Sequence, residues 1–377
     1  MTVMTIYFCG TAATKFDDSN PNYWNGELVS TLASHNLGRE FAEWLIIDGP
    51  GSGNLQDDEL WEKSGEHYDW AGKTLGYGWE ENVKHAAHII KGSFGWQREK
   101  LTEQQYNKLK ESGIPIKDVE VTGSFFWRHY DYGKRKVTQQ QLQQQIIKTF
   151  RKDGILPTQV NLIGWSRGGI SCHMLANSML KDPDLEAIPV NIFVIDPVPG
   201  LGNFQQERVS LGKNVREYVA FYAKDERSKG FSCVIPETDK STAVHIYPMP
   251  GRHATLVGNA SLDGISSGKV LYEPGMIVRH FAEVCLTRWG CNLDKKLNLD
   301  DAQLLELHKA MERNADLYTK MHSNSYTLIT ESNKGERQVS HGTSNANFSS
   351  IKGSPFSPAS GLASNFLNEK SIYDVIK

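Results

Sequence analysis

The stretch VNLIGWSRGGISCHMLA, residues 160–176, limits what this chain can fold into more than any other. Val160 to Ile163 is a short apolar run of the buried-strand kind, Gly164 to Gly168 spells G-x-S-x-G, and Ile170 to Leu180 carries the apolar spacing of a buried helix. A strand that turns this abruptly into a helix needs residues without bulk at the turn, and the glycines at 164 and 168 meet that need. Ser166 then stands at the tip of a strained turn with its hydroxyl clear of the sheet. Arg167 offers a backbone N–H at a helix start, where a developing oxyanion can be held. The same five-residue pattern also occurs as an ordinary Gly/Ser turn; the strand before it and the helix after it favour a nucleophile elbow.

At 377 residues and 39% hydrophobic content, the chain can form one large α/β domain with insertions or two smaller domains. A net charge of −3 gives no electrostatic reason to expect a nucleic-acid partner. Five cysteines, Cys9, Cys172, Cys233, Cys285 and Cys291, are odd in number and lack zinc-type pairing, so reduced thiols are expected, several of them in the core. The opening MTVMTIYFCG has neither a basic n-region nor an h-region of normal length, and no run approaches the roughly 18 apolar residues of a membrane-spanning helix. The expectation is a soluble protein, cytoplasmic or secreted by a route that needs no signal peptide.

Ahead of the elbow, Thr5 to Cys9 reads as a strand that ends in Gly10, Thr11, Ala12 and Ala13. Small residues after a first strand allow backbone N–H groups to approach a substrate oxygen, the second half of an oxyanion hole, although an ordinary strand exit has the same composition. Phe41 to Asp48 reads as a second strand running into GPGSGN, where the spacing of G-x-G-x-x-G is not met. GKT at residues 72–74 is no phosphate loop, because the leading glycine would have to replace His67. Trp79 to Ile90 has helical spacing, with His85 and His88 one turn apart; no third ligand lies at a motif distance, so both are expected to be surface histidines. Neither a metal nor another cofactor is implied. The aromatic cluster Phe125, Phe126, Trp127, Tyr130 and Tyr132 either lines an acyl-binding cleft or packs a cap against the sheet, and packing is favoured. Val137 to Lys152 reads as a glutamine-rich amphipathic helix leading into the elbow strand.

Beyond the elbow helix, Pro189 to Ile195 is a continuous apolar strand followed directly by Asp196. A carboxylate there sits at the strand end where open α/β sheets put their chemistry, and can accept the Nδ1–H of a histidine. Glu217 to Ala223 is a further strand, and Asp225 just past it is the rival acid. Val244 to Met249 delivers PGRHATLVGN, which hangs His253 on a glycine-flanked loop. Serine, acid and histidine thus occur in the chain order of α/β hydrolases.

Seven segments in the same order carry a resemblance: IYFCGTAATKFD, LIIDGPGSGN, GYGWEENVKHAAHII, GWSRGG, VIDPVPGLG, YAKDERSKGF and MPGRHATLVGN. Together they resemble the bacterial and fungal α/β-hydrolase family, long labelled a domain of unknown function, that includes one class of type VI secretion phospholipase effectors. The resemblance implies Ser166 as nucleophile, Asp196 as acid, His253 as base, and the Gly10–Thr11 backbone as part of the oxyanion hole. Three positions depart from the pattern. Cys9 stands where the family has aspartate, Thr255 or Leu256 where it has aspartate after the histidine, and Asn259 where it has a second glycine.

The fold expected is a mostly parallel α/β-hydrolase-like sheet with helices on both faces and a cap insertion. Its boundaries are expected as a hydrolase domain over 1–330, a cap over 55–135, and a Ser-, Asn- and Gly-rich unpacked tail over 331–377. Val278 to Trp289 and Asp300 to His322 read as helices that close the domain or form a small lid. The activity expected is ester hydrolysis through a Ser-His-Asp triad and an acyl-enzyme. The resemblance makes the substrate a lipid, with transient contact at a membrane surface, and adds a secretion-machinery or immunity partner. The competing reading, motivated by the three departures, is a catalytically silent binding or host-interaction module on the same scaffold.

Overall fold

The computed structural model describes residues 2–50, 79–92, 100–102, 120–122, 129–131, 156–261, 270–324, 326–329 and 334–347. In chain order the strands are β1 (Val3–Phe8), β2 (Trp44–Ile47), β3 (Lys100–Thr102), β4 (Glu120–Thr122), β5 (His129–Asp131), β6 (Gln159–Trp165), β7 (Val190–Ile195), β8 (Val215–Ala223), β9 (Cys233–Ile235), β10 (Ala243–Met249), β11 (Gln338–His341) and β12 (Ser344–Asn347). The helices are α1 (Leu28–Ser34), α2 (Trp79–Lys91), α3 (Arg167–Lys181), α4 (Gln206–Val209), α5 (Glu273–Arg288), α6 (Asp301–Arg313) and α7 (Ala315–Lys320).

Six strands form a parallel sheet in the order β10-β8-β7-β6-β1-β2, the α/β architecture expected. Its strands are buried on both faces, and the period-2 alternation of each one divides the core in two. Met4, Ile6, Leu162, Ile192 and Tyr218 face the layer that contains α2 and α3. Tyr7, Ile163, Phe193 and Phe221 face the layer of α1 and α5, with Leu304 and Met311 of α6 behind it. Each such side chain contributes about 1.5 to 3 kcal/mol on burial, which is why these strands read as nearly unbroken apolar runs. Polar residues inside the sheet are paired: Asn191 donates to Asn161 Oδ1 (3.1 Å), and Gln159 donates to the Trp289 carbonyl (2.8 Å). The chain passes from β1 to β2 on one side and from β6 onward on the other. The strand order therefore reverses between β1 and β6, where such sheets open a crevice at their C-terminal ends.

Several sequence expectations change in the fold. The second strand begins only at Trp44, because Phe41 adopts φ 66° and its N–H closes a turn onto the Trp44 carbonyl (2.6 Å). Most of the expected cap, residues 55–135, lies outside the described residues, as do Phe125, Phe126, Trp127, Tyr132 and the Val137–Lys152 helix. Within that span α2 belongs to the core: Trp79 is buried and donates from Nε1 to Ser171 Oγ of α3 (2.6 Å). His85 is therefore buried rather than on the surface, and burial pushes its pKa down to about 3. The expected unpacked tail is also corrected in part. Residues 334–347 pack onto the domain, with β11 parallel to β9 and antiparallel to β12, while 348–377 lie outside the described residues. The segment Asp300–His322 is broken at Asn314, and its helices pack against the sheet's helical layer, closing the domain. All five cysteines are free and buried. Among the described residues no helix is long and apolar enough to cross a membrane.

Glu27 caps α1 from full burial, accepting the N–H groups of Val29 (3.1 Å) and Ser30 (2.9 Å) and the Ser30 hydroxyl (2.9 Å). Burial raises its pKa from 4.5 to about 7, against the opposing pull of those hydrogen bonds. The folded state thus favours the protonated form. The contribution is full below the unfolded value and is lost as pH rises through the folded one. Parent stability should fall by about 3 kcal/mol between pH 4.5 and about 7 from this group. Glu27→Gln should flatten that fall in Tm profiles measured against pH; superimposable profiles would assign the slope elsewhere.

Candidate active site

Ser166 follows β6 directly and adopts φ 59°, ψ −127°, a conformation that costs on the order of 1 to 3 kcal/mol for a non-glycine residue. The surrounding sheet holds it there. Its N–H donates to the Ile195 carbonyl (3.0 Å) and its carbonyl accepts from Val198 (3.2 Å), so the end of β7 and the loop after it pin the turn on both sides. The two motif glycines are steric requirements: a Cβ on Gly164 would lie 2.3 Å from the Gly168 oxygen, and one on Gly168 would lie 2.2 Å from the Phe8 oxygen. Trp165, between glycine and serine, turns its ring under the loop after β1, where a Cβ on Gly10 would meet it at 2.3 Å.

Asp196 leaves β7 at the same sheet edge, since Trp165 and Ile195 are register partners, and it also has a left-handed backbone (φ 44°). Its carboxylate is fully buried and accepts four N–H donors. Ala223 N–H (3.1 Å) and Arg337 Nη1 (2.6 Å) reach Oδ1; His253 Nδ1 (2.5 Å) and Arg337 Nη2 (3.0 Å) reach Oδ2. Burial alone raises a carboxyl pKa, but here the Arg337 charge and the hydrogen bonds from His253 and Arg337 prevail and hold Asp196 below its ordinary value. An ionised carboxylate only accepts, so His253 carries its proton on Nδ1 and leaves Nε2 as the basic nitrogen.

His253 hangs from the loop after β10, where three supports fix it. Glu226 Oε2 accepts its backbone N–H (3.2 Å), Asp225 Oδ2 accepts the N–H of Gly251 (2.7 Å), and Tyr326 Oη accepts the N–H of Ala254 (3.2 Å). Its ring lies 5.1 Å from Trp165 and meets Phe231 edge-on at 5.1 Å. Asp225, the rival acid, is not the histidine's partner: its other oxygen is bound to His322 Nε2 at 2.7 Å. Its brace therefore comes from His322, past the C-terminal end of α7.

Of the three oxyanion-hole candidates, Arg167 and Thr11 are joined through their side chains, and Gly10 packs on Trp165. Arg167 is the first residue of α3, and its Nη1 donates to Thr11 Oγ1 (3.2 Å) on the loop that contains Gly10. Burial pulls the Arg167 guanidinium pKa down to about 10. A cavity of about 310 Å³ adjoins the histidine's supports, lined in part by Leu201, Phe204, Lys229, Phe231 and Arg337. Among the described residues, no group of three or more His, Cys, Asp or Glu side chains is arranged to hold a metal ion.

Sequence reasoning missed Arg337, Glu226, Phe231, Tyr326 and His322. Phe231 and Glu226 lie in the quoted YAKDERSKGF segment, just past the strand that carries the rival acid, which was a usable signal. Arg337 had none, being a lone arginine in a Ser- and Asn-rich stretch.

No protein-family model matches this chain, and no curated protein matches it. Among solved structures it is similar to an uncharacterized protein from Pseudomonas aeruginosa, with TM-score 0.40 and 13% identity over 77% of this chain and 46% of that one. It is also similar to the Tle1 effector, solved bound to the VgrG spike of the Type 6 secretion system, with TM-score 0.28 and 12% identity over 68% of this chain and 50% of that one. The chain spans about half the length of each.

Gly168→Ala should lower stability by about 3 kcal/mol, because the new Cβ meets backbone that cannot swing aside. Gly335→Ala, where a Cβ meets nothing within 4 Å, is the control. Equal melting temperatures for the two variants would contradict the steric account of the turn.

Proposed function

We propose that the protein is a serine hydrolase that cleaves carboxylic esters through an acyl-enzyme. The observation that carries this reading is the 2.5 Å bond from His253 Nδ1 to a buried carboxylate, on loops that leave the same sheet edge as a strained serine turn. His253 Nε2 takes the Ser166 hydroxyl proton as Oγ attacks the ester carbonyl. The carbonyl oxygen gains negative charge, held by backbone N–H groups of Arg167 and the Gly10–Thr11 loop. Collapse expels the alcohol with the proton from His253. Water, activated by the same nitrogen, then releases the acid and restores Ser166. Asp196 keeps its charge throughout and stabilises the imidazolium.

A lipid ester is the proposed substrate. The motif resemblance suggests it, and the surface near the histidine agrees with it. Leu201 is 70% exposed and lies against Gly230, while Leu328, 78% exposed, accepts the Lys229 N–H through its carbonyl (2.9 Å). Both border the segment that presents Phe231 to His253. A secretion-machinery or immunity partner is proposed on the resemblance alone.

One observation favours the second reading, a silent binding module: Ser166 and His253 are only 6% and 4% exposed. Labelling by a fluorophosphonate decides between the two, because only an assembled triad activates Ser166. Ser166→Ala should abolish labelling and lower ester turnover on the order of 10³-fold or more while leaving the fold intact. Turnover within about tenfold of the parent would remove the serine-hydrolase reading.

The acid assignment has its own test. Asp196→Asn should fold yet lose on the order of 10³- to 10⁴-fold in turnover, since the amide favours the wrong imidazole tautomer. Asp225→Asn should act through stability, costing about 1 to 3 kcal/mol as the bonds to His322 and from the Gly251 N–H weaken. Turnover and Tm of both variants separate the roles; a folded, inactive Asp225→Asn beside an active Asp196→Asn would reverse them.

A further inference from the structure

Arg337 immediately precedes β11 and is 3% exposed, with its guanidinium wedged between the ends of β8 and β9. Nη1 donates to Asp196 Oδ1 and to the Ala223 carbonyl (2.5 Å); Nη2 donates to Asp196 Oδ2 and to the Phe231 carbonyl (2.7 Å). Each terminal nitrogen thus spans one carboxylate oxygen and one strand-end carbonyl. That is a fork a lysine cannot reproduce. We infer that Arg337 is a positioning residue of the proposed hydrolase, keeping Asp196 ionised and its carboxylate aligned with His253 Nδ1. The inference rests on the reading of Ser166, His253 and Asp196 as a triad.

The reason lies in what one proton on Asp196 would do. A neutral carboxyl carries an O–H, which competes with the Nδ1–H for the space between the two groups. Relieving that conflict moves the imidazole proton to Nε2, where the ring can no longer accept the serine proton. Burial drives Asp196 toward that neutral state, opposed first by the Arg337 charge and then by the hydrogen bond from His253. Cys233 and Tyr222 have pKa values raised by burial and are neutral. Tyr326 flanks the ring of His253, and Glu226 holds its backbone N–H as a further acid. Arg227 is directed to the carbonyls of Lys224, Glu226 and Gly335. Among the described residues, Arg337 forms an ion pair with Asp196 and His253 donates a hydrogen bond to it. Arg337 brings a charge that does not titrate near neutral pH.

The test compares Arg337→Gln and Arg337→Lys with the parent in the full chain. Two quantities are measured against pH: kcat/KM on a soluble ester, and the carboxyl ¹³C shift of Asp196 in aspartate-labelled protein, identified by its loss in Asp196→Asn. In Arg337→Gln the acid limb and the ¹³C midpoint should rise together by about 1 pH unit or more, the effect of losing an adjacent opposite charge. In Arg337→Lys the midpoint should stay near the parent's. Its kcat should fall on the order of 10- to 100-fold at unchanged KM, because the carboxylate is no longer gripped at both oxygens. A folded Arg337→Gln that titrates like the parent overturns the inference, as does an Arg337→Lys with parental kcat. If Arg337→Gln does not fold, the kcat-against-KM behaviour of Arg337→Lys decides alone. If the ¹³C midpoint moves as expected while the parent neither turns over ester nor takes a fluorophosphonate, the hydrolase reading fails and the hold of Arg337 on Asp196 stands.

Discussion

A buried, ionised carboxylate is expensive, and much of the architecture around the sheet's C-terminal edge exists to keep one. Removing a carboxylate from water costs several kcal/mol even after relaxation, so Asp196 is tolerable only with its lone pairs occupied. Its four donors come from three separate parts of the chain: the end of β8, the loop after β10 and the segment before β11. Satisfying one side chain thereby ties together elements remote in sequence. The pairing of β11 with β9 gains its meaning from this demand, since it carries Arg337 to the carboxylate and anchors it on the Phe231 and Ala223 carbonyls. Deleting a partner would cost more than the pair contributes, because the remaining charge would be left buried and alone.

The features legible in the sequence are those whose chemistry is local. The elbow could be read because a strand, two indispensable glycines and a helix are adjacent, and the Cβ clashes at Gly164 and Gly168 show why no other residue serves. Asp196 could be read as a candidate because it directly follows an apolar strand, and His253 because it hangs on a glycine-flanked loop just past one. Arg337 could not. Its partner lies 141 residues earlier, and the surrounding SNKGERQVSHGTSNAN has the composition of an unpacked tail. His85 failed for a related reason: a histidine at helical spacing says which face it is on only once the neighbouring layer is known, and here α3 and β2 cover that face. Asp225, the rival acid just past β8, turns instead to His322, and Glu226 beside it to the histidine loop.

Trp165 connects the two halves of the site. Placed between the first motif glycine and the serine, it faces the helical layer of α1 and α5, packs under Gly10, and lies beside the ring of His253. A smaller residue there would leave a void between the loop after β1 and the base, two groups that must keep a fixed separation if one holds an oxyanion and the other moves a proton. Indole packing of this kind is worth several kcal/mol when removed, so the position couples stability of the sheet edge to geometry at the serine.

The departures from the family pattern at the histidine loop acquire a physical reading in the same terms. Thr255 or Leu256 stands where the resembled pattern has aspartate, and the Thr255 hydroxyl accepts the Arg252 N–H (3.1 Å), capping the short helical turn that begins at His253. The carboxylate that the loop lacks in its own sequence is supplied from outside. Glu226, on the loop after β8, accepts the His253 N–H and the Ser228 N–H (2.6 Å). Support for His253 thus comes from the loop after β8, which also carries Asp225 and its bond to Gly251. The consequence is a coupling between loops: Glu226 holds the backbone of His253 while Asp196 holds its ring, so the placement of His253 depends on the β8 loop as much as on the residues beside it.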